Sequence, residues 1–266
     1  MTRQGNTKML YQIKSYFKFL LRSTNQHGVH SPFVFNLVTK CFYDKNNHNA
    51  YDKLSNYRTE LLQDNSTIEV TDFGAGSRVF SLNTRTISAI AKTAGIPRKR
   101  QQLLYQLVHY LKPKNSLELG TSLGLGTLSI ALGNPTGFVD TIEGCPNTGG
   151  VANKLLSKFG IENYELHQLD FEVFFNSEAC KTNYDLVFID GNHNKQQTLA
   201  YFDILRKKAN NETVLIFDDI YWSTEMTEAW QEIQLHPEVQ VSIDTFYWGL
   251  VFFRREQQKE HFTIRL

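Results

Sequence analysis

The second part of the chain alternates short apolar runs with longer amphipathic ones. From Lys114 onward, short runs rich in β-branched residues predict strands, and runs with apolar positions three and four residues apart predict helices. The predicted strands span 116–119, 137–142, 164–167, 186–189 and 214–217, and the predicted helices 124–131, 149–159, 195–205 and 225–235. This alternation is typical of a parallel sheet with crossover connections. We therefore expect an α/β fold.

Two more apolar runs, 239–246 and 250–254, follow the fifth predicted strand and are joined by Tyr247-Trp-Gly249. They predict an antiparallel hairpin. The expected Rossmann-like domain, residues 98–266, therefore has five parallel strands and a C-terminal antiparallel hairpin. Before it, helical patterns with one polar stretch predict a helical N-terminal extension over 1–97. Such an extension can cover an acceptor site or form a homodimer interface.

The first predicted helix, 8–22, places Leu10, Ile13, Phe17, Leu20 and Leu21 at helical spacing. Lys14, Lys18 and Arg22 lie on its other side. A helix on a membrane surface has this pattern, and so does a cap helix with one solvated face. We favour the cap helix and expect no membrane partner.

Charge and cysteine content narrow the function classes. The 28 basic residues nearly balance the 27 acidic ones, giving a net charge of +1, so no global field recruits nucleic acid or an anionic membrane. A nucleic-acid partner is accordingly not expected. The three cysteines are far apart and suggest neither a zinc site nor a disulfide framework. We expect a cytoplasmic protein without a signal peptide or a membrane span.

The main candidate for ligand binding is the segment Ser116-Leu-Glu-Leu-Gly-Thr-Ser-Leu-Gly-Leu-Gly-Thr127. A buried strand followed by a glycine-rich turn and a helix lets a nucleotide approach the backbone. A dinucleotide-binding loop has a similar form, although the glycine spacing here is GxxxGxG rather than GxGxxG. Glu143 ends the next strand, where an acid can bind ribose hydroxyls, and Asp170 follows the third strand, where it can accept from an adenine amino group.

Five ordered motifs carry a resemblance to a known family. Glu118-Leu-Gly-Thr, Ile142-Glu-Gly, Asp170, Tyr184-Asp-Leu-Val-Phe-Ile-Asp-Gly191 and Phe217-Asp-Asp-Ile220 resemble class I S-adenosylmethionine-dependent methyltransferases, in particular the catechol and caffeoyl-CoA type of O-methyltransferase. The stretch His27-Gly-Val-His-Ser-Pro-Phe33 is also similar to an uncharacterised Bacteroidetes group. A second glycine loop at 72–77 resembles the first motif, but we interpret it as a loop that closes over the site.

The resemblance implies roles for individual residues. Glu118 and Gly120 would line the methionine end of S-adenosylmethionine, beside a loop that includes Thr121, Ser122 and Gly126. Glu143 and Gly144 would hold the ribose, Asp170 and Phe171 would border the adenine, and Asp190 would also contact the cofactor.

The predicted reaction centre contains carboxylates and a histidine. Asp190 ends the fourth strand and Asp218-Asp219 end the fifth, so these oxygen donors meet at one sheet edge and suit Mg²⁺ or another divalent cation. Related enzymes usually have Asp-Asn where Asp218-Asp219 stand. His193 is a candidate general base or further ligand. For His193, Asp218 and Asp219 the alternative to a role in catalysis or metal binding is a structural one, the capping of a following helix.

The acceptor is expected to be a small hydroxylated molecule, with His27, His30, Trp222 and Trp248 as candidate pocket walls. Three alternatives remain. The chain could methylate nitrogen in RNA or protein, although an Asn-Pro-Pro-Tyr type motif is absent. It could be a nicotinamide-dependent oxidoreductase, or a scaffold protein on the same fold.

Overall fold

The computed structural model describes residues 3–71 and 83–266, with side chains from residue 9 onward. The α-helices are α1 (Arg3–Arg22), α2 (Pro32–Leu37), α3 (Ala50–Gln63), α4 (Ile87–Thr93), α5 (Arg98–Leu111), α6 (Leu125–Gly133), α7 (Pro146–Lys158), α8 (Phe171–Phe175), α9 (Lys195–Lys207) and α10 (Thr224–Leu235). The strands are β1 (Thr67–Glu69), β2 (Thr84–Thr86), β3 (Asn115–Leu119), β4 (Phe138–Ile142), β5 (Tyr164–His167), β6 (Leu186–Ile189), β7 (Val214–Asp218), β8 (Val241–Asp244), β9 (Trp248–Phe252) and β10 (Glu260–Thr263). The predicted loop 72–77 lies outside the described residues.

Eight of the described strands belong to the main sheet, which is mostly parallel, and β1 and β2 form a small antiparallel pair. The expected α/β fold is therefore confirmed. The chain divides into two compact units: a continuous unit, Lys40–Tyr184, and a divided unit made of Met1–Thr39 and Asp185–Leu266. No described helix is both long enough and apolar enough to cross a membrane.

In the continuous unit, β3, β4 and β5 pair in parallel, with Leu119 opposite Ile142 and Ile142 opposite His167. All but the first residue of β3 are buried, as expected for a strand covered on both faces. Helix α6 is also buried along almost its whole length. It packs against α5, where the Gln101 side chain donates to the Leu125 carbonyl oxygen.

In the divided unit the strand order is β10-β8-β9-β7-β6. Strands β6 and β7 are parallel, while β9 is antiparallel to both β7 and β8, which confirms the predicted hairpin. Strand β10 is an addition to the prediction and lies parallel to β8 at the edge. Its burial is irregular, with one buried residue among exposed ones, and the sequence therefore shows no clear period of two there.

Helix α1 is the main correction to the predicted packing. Its buried residues are Ser15 and Phe19, whereas Phe17 and Leu21 of the predicted apolar face are 63% and 88% exposed. The reason is tertiary: Phe19 packs against the Phe246 ring of the hairpin loop. The apolar periodicity correctly predicted a helix but not which side of it would be covered.

Candidate functional site

The turn after β3 is built from left-handed backbone. Gly120, Ser122 and Gly124 have φ angles of 106°, 48° and 78°, a region that costs a residue with a Cβ free energy and that glycine adopts freely. The N–H groups of Gly120 and Thr121 both donate to the Ile142 carbonyl oxygen, at 3.0 and 3.1 Å. The turn is therefore anchored to the end of the neighbouring strand, and α6 begins directly after it.

Tyr57 of α3 supports this turn from behind, a role that no motif indicated. Its side chain is fully buried, and its hydroxyl donates to the Leu123 carbonyl oxygen at 2.8 Å. A Cβ on Gly124 would lie 2.6 Å from that hydroxyl oxygen, so only glycine fits there. A buried tyrosine among helical apolar residues gives no sequence signal that separates this contact from ordinary packing.

Glu143, the predicted ribose ligand, lies beside the turn with its carboxylate fixed by backbone groups. It accepts from the Ser122 N–H at 2.8 Å and from the Cys145 N–H at 2.9 Å. The Glu143 side chain is therefore held between the glycine turn and Cys145, the residue that precedes α7. Gly144 links Glu143 to Cys145 along the chain. Two N–H donors at one carboxylate position it before any ligand binds.

Glu118 has a different environment from the one predicted for a ligand at the methionine end. Its side chain is 1% exposed, and its Oε2 accepts from the hydroxyls of Thr127 and Thr141 at 2.5 and 2.6 Å. Burial raises the pKa of this carboxyl from 4.5 to about 7, although the two hydroxyl donors oppose that shift. The geometry gives Glu118 an internal role, joining β3, β4 and α6.

The other predicted cofactor residues in the continuous unit vary in exposure. Thr121 is buried and shares a 2.6 Å hydrogen bond with Thr141, and Gly126 is buried in the first turn of α6. Asp170 is exposed and caps α8 by accepting from the Glu172 N–H at 2.8 Å, and Phe171 follows it at half-buried depth. The predicted cofactor residues of this unit that present accessible surface are Gly120, Ser122, Glu143, Gly144, Asp170 and Phe171.

In the divided unit, the turn after β6 holds Asp190 close to His193. Their nearest atoms, Oδ1 and Nε2, are 3.8 Å apart, and both side chains are 23% exposed. Asn192 and His193 have positive φ angles of 64° and 21°, a strained arrangement that often marks a functional turn. The Trp222 ring lies 5.4 Å from the His193 ring, so the structure brings these three predicted residues together.

Asp218 ends the adjacent parallel strand, one residue beyond the pairing of Ile189 with Phe217, and Asp219 follows it directly. Asp219 has a φ of 53°, and its N–H donates to Asp218 Oδ1 at 2.8 Å. The capping alternatives are excluded, because Asn194 caps α9 and Ser223 caps α10. Asp219 is instead a left-handed turn residue directly after β7.

A second group of metal-type donors lies elsewhere, in the continuous unit. Among the described residues, Asp140, Glu165 and His167 are the only three such side chains whose donor atoms all lie within 4.8 Å of one another. Asp140 already pairs with the Lys181 ammonium at 2.6 Å and accepts from the Tyr184 hydroxyl at 3.0 Å. The Lys181 ammonium takes the place of a metal cation, so this group reads as an ion pair in which only the Asp140 carboxylate is buried.

The four residues predicted to line the acceptor pocket differ in burial and in their neighbours. Trp248 is fully buried, with its ring 5.5 Å from that of Phe188, and it is therefore a core residue rather than an accessible wall. His27 and His30 are exposed; the His27 ring lies 3.2 Å from Gln26 Nε2, and the His27 N–H donates to Asn25 Oδ1. Trp222 is the one that lies beside His193.

Residues 117–220 match the profile of a protein family described as a methyltransferase domain. Among solved structures, the chain is similar to the methyltransferase PaMTH1 of Podospora anserina bound to S-adenosylhomocysteine, with 13% identity and a TM-score of 0.59 over 85% of this chain and 97% of that one. It is also similar to TomG, the O-methyltransferase of tomaymycin synthesis from Streptomyces achromogenes, bound to S-adenosylmethionine. That match has 16% identity and a TM-score of 0.55 over 78% and 91% of the two chains.

The O-methyltransferase of Bacillus cereus in complex with S-adenosylhomocysteine matches at 17% identity, with a TM-score of 0.51 over 79% of this chain and 94% of that one. At these identities the structural similarity establishes the fold, and the matched profile identifies the domain. The similarity to a Bacteroidetes group stays a prediction. The chain thus contains a methyltransferase domain at residues 117–220 and has the predicted fold of the class I S-adenosylmethionine-dependent methyltransferases.

Proposed function

We propose that this methyltransferase transfers the methyl group of S-adenosylmethionine to a hydroxyl oxygen of a small acceptor. The observation that carries the proposal is the Glu143 carboxylate, which two backbone N–H groups fix beside the glycine turn. A carboxylate so placed accepts hydrogen bonds from two ribose hydroxyls. The O-methyltransferases named above, crystallised with S-adenosylmethionine or S-adenosylhomocysteine, support the choice of cofactor.

When bound, the cofactor supplies a methyl group on a positively charged sulfur, which is already a good electrophile. The protein then has to align the acceptor and remove its proton. His193 is the proposed base, since its imidazole is partly exposed and Asp190 lies 3.8 Å away on the same turn. His193 would accept the acceptor O–H proton as the acceptor oxygen takes the methyl group. S-adenosylmethionine held at Glu143 would supply that methyl group and leave as S-adenosylhomocysteine, with a methyl ether as the product.

Divalent-metal assistance is the second part of the prediction. Asp190 and Asp218 end neighbouring parallel strands and offer the oxygen ligands that Mg²⁺ requires. Together with Asp219, however, they do not form a group with donor atoms within 4.8 Å among the described residues. We therefore assign the proton transfer to His193 and no step to a metal ion.

Isothermal titration calorimetry tests the cofactor. S-adenosylhomocysteine should bind with a Kd in the micromolar range, and Glu143→Ala should weaken that binding sharply. Wild-type protein that binds neither S-adenosylmethionine nor S-adenosylhomocysteine would overturn the proposal and favour a scaffold role. Transfer of a labelled methyl group to RNA or protein, but not to small phenols or alcohols, would overturn the acceptor class while leaving the cofactor intact.

A further inference from the structure

Within the divided unit, one side of helix α1 packs against the other elements. Ser15 and Phe19 are buried, and Phe19 packs against the Phe246 ring. The Tyr11 hydroxyl donates to Thr227 Oγ1 of α10 at 2.7 Å, and Arg22 contacts the Tyr221 hydroxyl at 3.4 Å. These contacts fix the rotation of the helix about its axis.

The opposite side of α1 is an exposed apolar stripe. We define it by its members at helical spacing, namely Leu10, Ile13, Phe17 and Leu21, which are 54%, 45%, 63% and 88% exposed. Met9 extends it on one flank, together with Tyr16, whose half-exposed ring also packs edge-on against Phe246. Of the eleven large apolar side chains that are exposed in the described residues, six lie on this one helix. A concentration of this kind marks a surface that meets an apolar partner.

A row of basic residues borders the stripe on its other flank. Lys14, Lys18 and Arg22 are spaced four residues apart, which places them one above the other along the helix. Together with Arg3 and Lys8, α1 has five basic residues and no acidic residue. The net charge of +1 for the whole chain conceals this segregation. The expectation of no membrane partner rested on that net value and on the interpretation of α1 as a cap helix.

The basic row also lines a groove. Lys18 and Arg22 face Tyr221 and Gln231 across a cavity of about 410 Å³ between α1 and α10. Two cations and several hydroxyl or amide donors at the edge of an apolar stripe suit an anionic group attached to a hydrocarbon.

We propose that α1 lies in the plane of an anionic lipid surface, with the stripe inserted below the headgroups and the basic row at phosphate level. A helix that combines large apolar side chains on one face with Lys and Arg beside them has the properties of an interfacial helix. It does not span the bilayer, because no described helix is apolar enough to do so.

The charges of α1 argue against a second copy of α1 as the occupant. Two α1 helices packed stripe to stripe would bring two rows of basic residues together with no acidic residue on either helix to compensate them. An anionic bilayer complements both the apolar stripe and the basic row, so it satisfies the two observations together.

Vesicle flotation of the full chain tests the proposal. The protein should float with vesicles of phosphatidylcholine and phosphatidylglycerol at 70:30, much less with pure phosphatidylcholine, and less again at high salt. Lys14→Gln with Lys18→Gln should weaken binding about fivefold per charge removed. Phe17→Gln with Leu21→Gln should weaken it by more than about tenfold.

Matched control variants test whether vesicle binding depends on α1 or on exposed residues elsewhere. Val173→Gln removes an apolar side chain on α8 that is 54% exposed, and Lys45→Gln with Lys99→Gln removes two exposed lysines elsewhere, so both should bind like wild type. Thermal unfolding of each variant checks that it is folded. No flotation of wild type, or flotation that survives both α1 variants, overturns the proposal. So does a wild-type dimer in sedimentation velocity that the Phe17 and Leu21 variant converts to monomer without any vesicle binding.

Discussion

The hydroxyl of Thr127, in the first turn of α6, donates to Glu118 Oε2 at the end of β3 at 2.5 Å. This bond joins the helix that follows the glycine turn to the strand that precedes it. Because Thr141 of β4 donates to the same oxygen, one carboxylate organises three elements beneath the turn. The acidic residue of the first motif thus ties together the elements that flank the turn.

Stability should fall as the pH rises through the titration of Glu118. The pKa of this carboxyl is about 7 in the folded chain against 4.5 ordinarily, so the folded state holds the proton more tightly. The contribution is complete below pH 4.5 and is lost as the pH rises to about 7, by on the order of 3 kcal/mol for a shift of this size. Glu118→Gln removes the titrating group, and the pH dependence of the free energy of unfolding between these values should flatten.

Chemical unfolding at a series of pH values measures this effect. Glu162→Gln, at an exposed position of the same unit, is the matched control and should keep the wild-type slope. If Glu118→Gln retained the slope as well, some other group would be responsible.

Glu143 should contribute strongly to cofactor affinity. Hydrogen bonds from ligand hydroxyls to an ionised, preoriented carboxylate are worth about 1.5–3 kcal/mol, so Glu143→Ala should raise the Kd for S-adenosylhomocysteine roughly 10- to 100-fold. Calorimetric titration gives the number, and Glu162→Ala serves as the control. Equal affinities for wild type and Glu143→Ala would remove Glu143 from the site.

Gly124 and Tyr57 should show energetic coupling. Gly124→Ala forces a Cβ to within 2.6 Å of the Tyr57 hydroxyl oxygen at a φ of 78°, which should destabilise the protein by roughly 2 kcal/mol or more. In a Tyr57→Phe background the clash with the hydroxyl is gone, while the backbone strain and the 3.3 Å approaches to Ala152 and Leu156 remain. Gly124→Ala should therefore lower the free energy of unfolding clearly less in the Tyr57→Phe background than in the wild-type background. Additive losses in the double variant would mean that the hydroxyl does not constrain residue 124.

The base and the metal can be distinguished by activity measurements. With His193 as base, His193→Ala should lower kcat by roughly 10²–10⁴-fold, and activity should persist in a chelator. Asp218→Asn, which keeps the shape of the side chain, serves as the comparison and should have a smaller effect. Loss of activity in chelator with recovery on addition of Mg²⁺ would instead assign the reaction to a metal held by Asp190 and Asp218.

The order of strands and helices from β3 to β9, apart from the short helix α8, could be predicted from sequence, because buried strands and crossover helices have distinct periods. The side of α1 that is buried could not. An apolar stripe predicts burial only where the protein offers a surface to cover it, and Phe19 reaches Phe246 from a different face. Strand β10 was missed because a short edge strand buries too little to leave a pattern.

Within the site, the motifs correctly located the glycine turn and the acidic residue at the end of β4. They did not distinguish a buried acid from an accessible one, since Glu118 and Glu143 both follow apolar strand residues. The support from Tyr57 was beyond prediction, because α3 and the turn are far apart in the sequence and meet only in the folded unit.

The divided unit joins segments separated by the whole continuous unit. Thr24, just after α1, bridges to Ile264 just after β10, and the Thr24 N–H donates to the Thr263 carbonyl oxygen at 2.9 Å. During synthesis, the continuous unit is complete long before this pairing becomes possible. Helix α1 is therefore synthesised long before Phe246, the residue against which Phe19 packs. Its apolar side chains stay without that packing partner for nearly the whole time of translation.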